Sequence, residues 1–205
     1  TTWPVAEGAE GMLQAVQRVC AQAEDAADAG TAIVILSDRA ASPERVSIPA
    51  LLITGAVHPH LNRVRKRLSS SIVVDTAEAR DTHQIACLFG FGATAVCPYL
   101  GYATVRQVIA TDTKGKLGDD MTPEIGMKNY RKALEKGILK IMSKMGISVL
   151  NSYQSAQIFE AIGIGNDVID TCFTGTKSRI AGVGFAEIAA ESIVRHQSAH
   201  SDLID

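Results

Sequence analysis

The sequence predicts an α/β fold: a layered parallel βαβ unit with a mostly helical C-terminal part. Three observations predict it. Short apolar runs rich in β-branched residues alternate with segments of helical period, and the runs lack an in-and-out alternation, as strands covered on both faces do. A polar, glycine-containing stretch without hydrophobic period then divides the chain, and nearly every segment beyond it reads as helix. Strands alternating with helices of this length imply right-handed crossovers and a mostly parallel sheet.

The elements follow in order. Between Gly8 and Ala29, Met12, Leu13, Val16, Val19, Cys20, Ala23 and Ala27 recur at helical spacing, and Gly30 stands where a left-handed cap would end the helix. Ile33 to Leu36 is the first strand, stopped by Ser37-Asp38-Arg39. A helix from Ile48 to Leu61, a strand from Ser71 to Val74, a helix from Thr76 to Phe89 and a short strand from Thr94 to Val96 repeat the order. A further helix, Thr104 to Ile109, closes a βαβ part assigned to residues 1–110. Residues 111–122 form the dividing loop. In the helical part, residues 123–205, Thr122 caps a helix with Pro123 in its first turn and Gly146 after its end. Its buried stripe is expected to be Tyr130, Leu134, Ile138, Ile141 and Met145, and helices are expected at Tyr153 to Ile162, Asp167 to Phe173 and Ala186 to His196.

Composition narrows the function. The chain has 205 residues, 46% of them hydrophobic and 20% charged, which excludes disorder and leaves enough apolar surface for a real core. Twenty basic against twenty-two acidic side chains give a net charge of −2, so no broad field points to nucleic acid or an anionic membrane. No apolar stretch approaches the roughly 20 residues of a membrane span, and Thr1 to Ala9 does not read as a signal peptide. Cys20, Cys87, Cys97 and Cys172 are too scattered for a zinc or iron–sulfur spacing and read as reduced core thiols in a cytosolic compartment.

Several motifs carry chemistry elsewhere but stand in the wrong context here. Gly90-Phe91-Gly92-Ala93-Thr94-Ala95 has the letters of a dinucleotide fingerprint, yet a helix leads into it and a strand leaves it, the reverse of the order that aims a helix N-terminus at a phosphate. Gly175-Thr176-Lys177-Ser178 lacks the glycines of a phosphate-binding loop and reads as a polar turn between two helices. His58 and His60 with His83 and Asp75 are zinc-ligand types, which raises the alternative of a stand-alone metal-dependent hydrolase using a His-x-His pair. The competing reading is hydrogen-bonded histidines, because residues two apart share a face on a strand but not on a helix. Lys128, Lys132, Lys136, Lys140 and Lys144 recur every four residues on one helix; such a row of like charges is either a solvated face or a domain interface for an acidic surface or a phosphate group. No catalytic set stands out.

Longer strings point further. Leu36-Ser37-Asp38-Arg39, Ile48 to Leu52 and Ala56 to Leu61 resemble the central domain of the large subunit of glutamate synthase, and Ser71 to Asp75, His83, Gly90 to Thr94 and Ala95 to Leu100 continue the likeness. It resumes at Asn129-Tyr130, Met142 to Ser148, Ser152-Tyr153, Ala156 to Ala161 and Phe173 to Thr176, and so covers most of the chain. The resemblance implies the later part of the central domain running into the start of the FMN-binding domain. It implies an enzyme that makes two L-glutamate from L-glutamine, 2-oxoglutarate and a reductant, with FMN and an iron–sulfur cluster held elsewhere and none in this chain. The amidotransferase and FMN-binding domains of the same enzyme become the expected partners, with the cytoplasm as location, or the plastid in a photosynthetic eukaryote. Thr1 is not the nucleophilic cysteine of the glutaminase, so a structural, ammonia-channel and domain-linking part without catalytic residues of its own is expected.

Overall fold

The computed structural model describes residues 1–113, 115–118 and 120–201; Lys114 and Asp119 of the expected loop and residues 202–205 of the C-terminal part lie outside the described residues. The chain begins with a short strand β1 (Thr2–Pro4) and helix α1 (Gly8–Asp28). Next come β2 (Ile33–Ser37), β3 (Arg45–Ser47), α2 (Ala50–Arg63), β4 (Ser71–Thr76), α3 (Thr82–Gly90) and β5 (Ala95–Pro98). The helices α4 (Tyr99–Ala110) and α5 (Pro123–Met145) pack on each other, and α5 packs on α3. Short α6 (Leu150–Tyr153), β6 (Glu160–Ile164), α7 (Asn166–Cys172), β7 (Lys177–Val183) and α8 (Phe185–Ala199) complete it. Among the described residues no helix is long and apolar enough to cross a membrane.

The expected parallel sheet forms in the order β2-β4-β5. Sequential strands joined by right-handed crossovers receive their helices on one face, and α2 packs on β4, α3 on β5 and α2 on α3. That face is the core: Leu36, Ile72 and Val74 are buried in one cluster with Met12, Val16, Ile53 and Val57. The other face departs from expectation. Ile33 is 56% and Ile35 62% exposed, so the apolar run of β2 is covered on one side only.

The helix ends follow their local chemistry. The Thr122 hydroxyl accepts the amide of Ile125 at 3.3 Å, Pro123 occupies the first turn where its missing N–H costs nothing, and Gly146 closes α5 at φ 70°, which suits glycine. The buried side of α5 is centred on Ile138 and Met142; Met145, expected in the stripe, is 46% exposed. Two strand pairs were not anticipated. β1 pairs antiparallel with β3, burying Trp3 and Val46, and β6 pairs parallel with β7, Ile162 beside Ile180. The helix expected from Tyr153 to Ile162 therefore stops at Tyr153, where Ser155 and Gln157 turn to φ 59° and 52°. Lys177 and Ser178 open β7 rather than lying between two helices.

Candidate functional site

The cleft between α2–α3 and the segment running from Gln154 through α7 holds two cavities of about 290 and 400 Å³, and a third of about 500 Å³ adjoins them between α2–α3, the turn before α3 and Arg195 of α8. Phe91, Phe159 and Phe173 form the wall shared by the first two; Phe91 stacks on Phe159 at 5.7 Å and meets Phe173 edge-on at 4.9 Å. Pro49, Leu51, His83 and Cys87 are common to the second and third. The cleft is narrow because glycines bring its walls together. A Cβ on Gly55 would meet the carbonyl of Cys172 and the Phe173 ring, and one on Gly90 would meet Phe159.

His58 sits at one end. The Nε–H of Arg67 donates to its Nδ1 at 2.8 Å, and the same guanidinium donates to the carbonyls of Ser70 and Gly92, each at 2.8 Å. With Nδ1 an acceptor, the neutral ring carries its proton on Nε2, which faces the Ser155 hydroxyl. Burial, then the neighbouring Arg67 charge, push the imidazole down to about 4, so it is neutral at physiological pH. His58 therefore cannot take a proton from Ser155, and the pair is no nucleophile and base. Gly92, at φ 112°, has the His58 ring where a Cβ would be.

The thiols are equally quiet. Burial pushes Cys87 up to about 11 and Cys172 up to about 12, far from the thiolate form a nucleophile or metal ligand needs. The histidine and aspartate set raised by the sequence is dispersed. His60 bonds Glu24 at 2.8 Å, His83 faces the Cys87 sulfur at 3.7 Å, and Asp75 holds Arg39 through two bonds of 2.7 and 3.1 Å. Among the described residues no three His, Cys, Asp or Glu side chains group to hold a metal ion.

Ligands of parallel α/β sheets usually bind beyond the carboxyl ends of the strands. Here those ends are tied together instead. Asp38, 3% exposed, accepts the Tyr99 hydroxyl at 2.6 Å, the Thr76 hydroxyl at 2.7 Å and the Ala77 amide at 2.9 Å. The Arg39 guanidinium beside Asp75 holds that carboxyl below its ordinary range, and Arg39 lies 3.9 Å over the Tyr99 ring. The cysteines lie on α1, α3, β5 and α7, and Gly90-Phe91-Gly92 ends a helix rather than opening one, so no helix N-terminus meets the fingerprint letters. All five lysines of the α5 row are exposed, and none forms an ion pair among the described residues; Glu135 is taken by Arg131 at 3.2 Å.

The partners of His58 were not visible in the sequence, since Arg67, Gly92 and Ser155 lie 9, 34 and 97 positions from it. Comparison with known proteins adds the family. Residues 1–165 match the family described as glutamate synthase central domain. Ferredoxin-dependent glutamate synthase 1, chloroplastic/mitochondrial, of Arabidopsis thaliana is 48% identical over 94% of this chain and 12% of its own length. Glutamate synthase [NADH] of Schizosaccharomyces pombe is 41% identical over 95% of the chain and 9% of its own length. Glutamate synthase [NADPH] large chain of Bacillus subtilis is 42% identical over 94% and 12%. The chain thus spans about an eighth or less of the length of these relatives.

Proposed function

The chain belongs to the glutamate synthase central-domain family, and from that premise we propose that it is a non-catalytic linking part of a glutamate synthase. The complete enzyme would convert L-glutamine, 2-oxoglutarate and two reducing equivalents into two L-glutamate, with FMN and the iron–sulfur cluster carried by other parts of the polypeptide. The observation that carries this reading is the chemistry of the cleft: His58 is a neutral donor, the thiols of Cys87 and Cys172 are protonated, and the Glu78 carboxyl, which burial pushes up, is occupied by the Ala50 amide at 2.6 Å. Relatives named for ferredoxin, NADH and NADPH share the segment at 41–48% identity, which supports placing the electron donor's site elsewhere. The cytoplasm, or the plastid as for the chloroplastic relatives, is the proposed location.

The adjoining cavities support a second task, passage of ammonia. The walls of the first two are mostly phenyl rings, aliphatic side chains and the neutral amides of Asn62 and Gln157, with Arg63 and Glu160 as their charged members, a lining that would take a small uncharged molecule. The amidotransferase and FMN-binding domains would be the partners at either end, and the lysine row from Lys128 to Lys144 would face an acidic surface of one of them. Thr176, shared by the first two cavities, is the place to test passage. In the full-length enzyme Thr176→Trp should let glutamine hydrolysis continue while glutamate formed per glutamine consumed falls and ammonia appears in solution. An unchanged ratio removes the channel and leaves only the linking role; glutaminase or glutamate-forming activity in the 205-residue chain itself would remove the whole reading.

A further inference from the structure

From the uncovered face of the β2-β4-β5 sheet, we infer that a single amphipathic helix, supplied by the rest of the same polypeptide, packs there. The inference rests on the chain being part of a glutamate synthase. In the parallel register the residues of this face form rows across the strands: Ile35, Val73 and Ala95 in one, Ser37, Asp75 and Cys97 in the next. One step toward the start of β2, Ile33 stands beside Ser71 on the same face. Ile33, Ile35 and Ala95 are exposed and Val73 half-buried, whereas the alternate residues Leu36, Ile72 and Val74 lie in the core. The polar row ends in the Arg39–Asp75 pair and the Tyr99 ring. An apolar centre edged by a self-satisfied arginine and an aromatic ring has the composition of a protein interface, with no charge left that a partner must neutralise.

The topology explains why the face is bare. Crossovers between sequential strands deliver their helices to one side only, so nothing in the order β2-α2-β4-α3-β5 brings a helix to the other. Parallel sheets are nevertheless covered on both faces almost without exception. The width of the face selects the occupant. Three strands about 4.8 Å apart span about 10 Å between the outer two, the diameter of one helix. The source is selected by length: the relatives carry this segment as 9–12% of a much longer chain. A helix tethered in that chain meets the face at an effective concentration a second copy does not reach.

The test is hydroxyl-radical footprinting of side chains, because most amides of β4 are already bonded within the sheet and would report little. In a full-length glutamate synthase carrying this segment, oxidation of Ile33 and Ile35 should fall about tenfold relative to the 205-residue chain, as for side chains moved into a dry interface core. Ile35→Asp should restore oxidation at Ile33 in the full-length protein. At 62% exposure it should leave the unfolding midpoint of the 205-residue chain unchanged. Undiminished oxidation at Ile33 and Ile35, with protection elsewhere at Leu139, Ile162 or Ile180, overturns this inference and leaves the linking role standing. No protection anywhere on the segment overturns the linking role as well. Protection already present in the 205-residue chain, with a doubled sedimentation mass that Ile35→Asp abolishes, assigns the face to a second copy and overturns the inference.

Discussion

Acid should loosen this protein through His58, and a neutral mimic should remove that part of the loss. The imidazole accepts from Arg67 through Nδ1, so a second proton would set two donors and two positive charges against each other. Burial and Arg67 lower its affinity for that proton from the ordinary 6.5 to about 4. Between those values the unfolded chain binds the proton and the folded chain does not, so stability rises with pH across the window. The contribution is complete above pH 6.5 and lost as pH falls toward 4. At about 1.4 kcal/mol per tenfold change in affinity the ceiling is about 3 kcal/mol; the ring is only part-buried, which reduces the expected loss to about 1–2 kcal/mol. His58→Gln can accept from Arg67 and donate to Ser155 without titrating. Urea unfolding followed by fluorescence of the buried Trp3 at pH 7, 6, 5 and 4 gives both stability curves. Carboxylates such as Asp75 also titrate, but they cancel in the difference between the two proteins. The wild-type curve should drop below the variant's by that amount by pH 4. Parallel curves would refute the reasoning.

Gly55→Ala should cost about 2–3 kcal/mol in the same urea assay, because its methyl group would press on the backbone carbonyl of Cys172 and lie 2.7 Å from Cε1 of Phe173, and the carbonyl cannot rotate away. A loss below about 0.5 kcal/mol would mean that α2 and α7 part more easily than their packing implies. Lys136→Glu with Lys140→Glu should leave the circular dichroism and unfolding midpoint of the 205-residue chain unchanged, since both side chains are exposed. In the full-length enzyme the pair should weaken assembly or coupled turnover more at low salt than at high salt. Equal turnover at every ionic strength would make the row a solvated face.

The sequence was most legible where the determinants are local. Thr122, Pro123 and Gly146 mark both ends of α5 by their own chemistry, and the three parallel strands follow from uninterrupted β-branched runs. It was least legible where distant residues decide. Ala156 to Ile162 has a composition compatible with helix, but Ser155 and Gln157 turn to positive φ and β6 pairs with β7 about eighteen positions on. Nothing about serine or glutamine announces that conformation. The run Ile33 to Leu36 correctly reports two apolar faces, although only one is covered within these residues. The cleft was invisible for a similar reason: Gly55, Phe91 and Phe173 come from three elements and have meaning only together.

The closing of α8 against α1 has a kinetic consequence. The three sheet strands and the helices between them lie within the first hundred residues, so they can assemble as the chain leaves the ribosome, each strand adding beside one already made. The face of α1 that receives α8 has to wait until synthesis has passed residue 199, and His196 reaches Pro43 across 153 positions. At about 5–20 residues per second, that apolar surface stays open for roughly ten to thirty seconds after α1 itself is complete, and this is the interval in which a nascent chain of this kind is most exposed to chaperones and to misassembly.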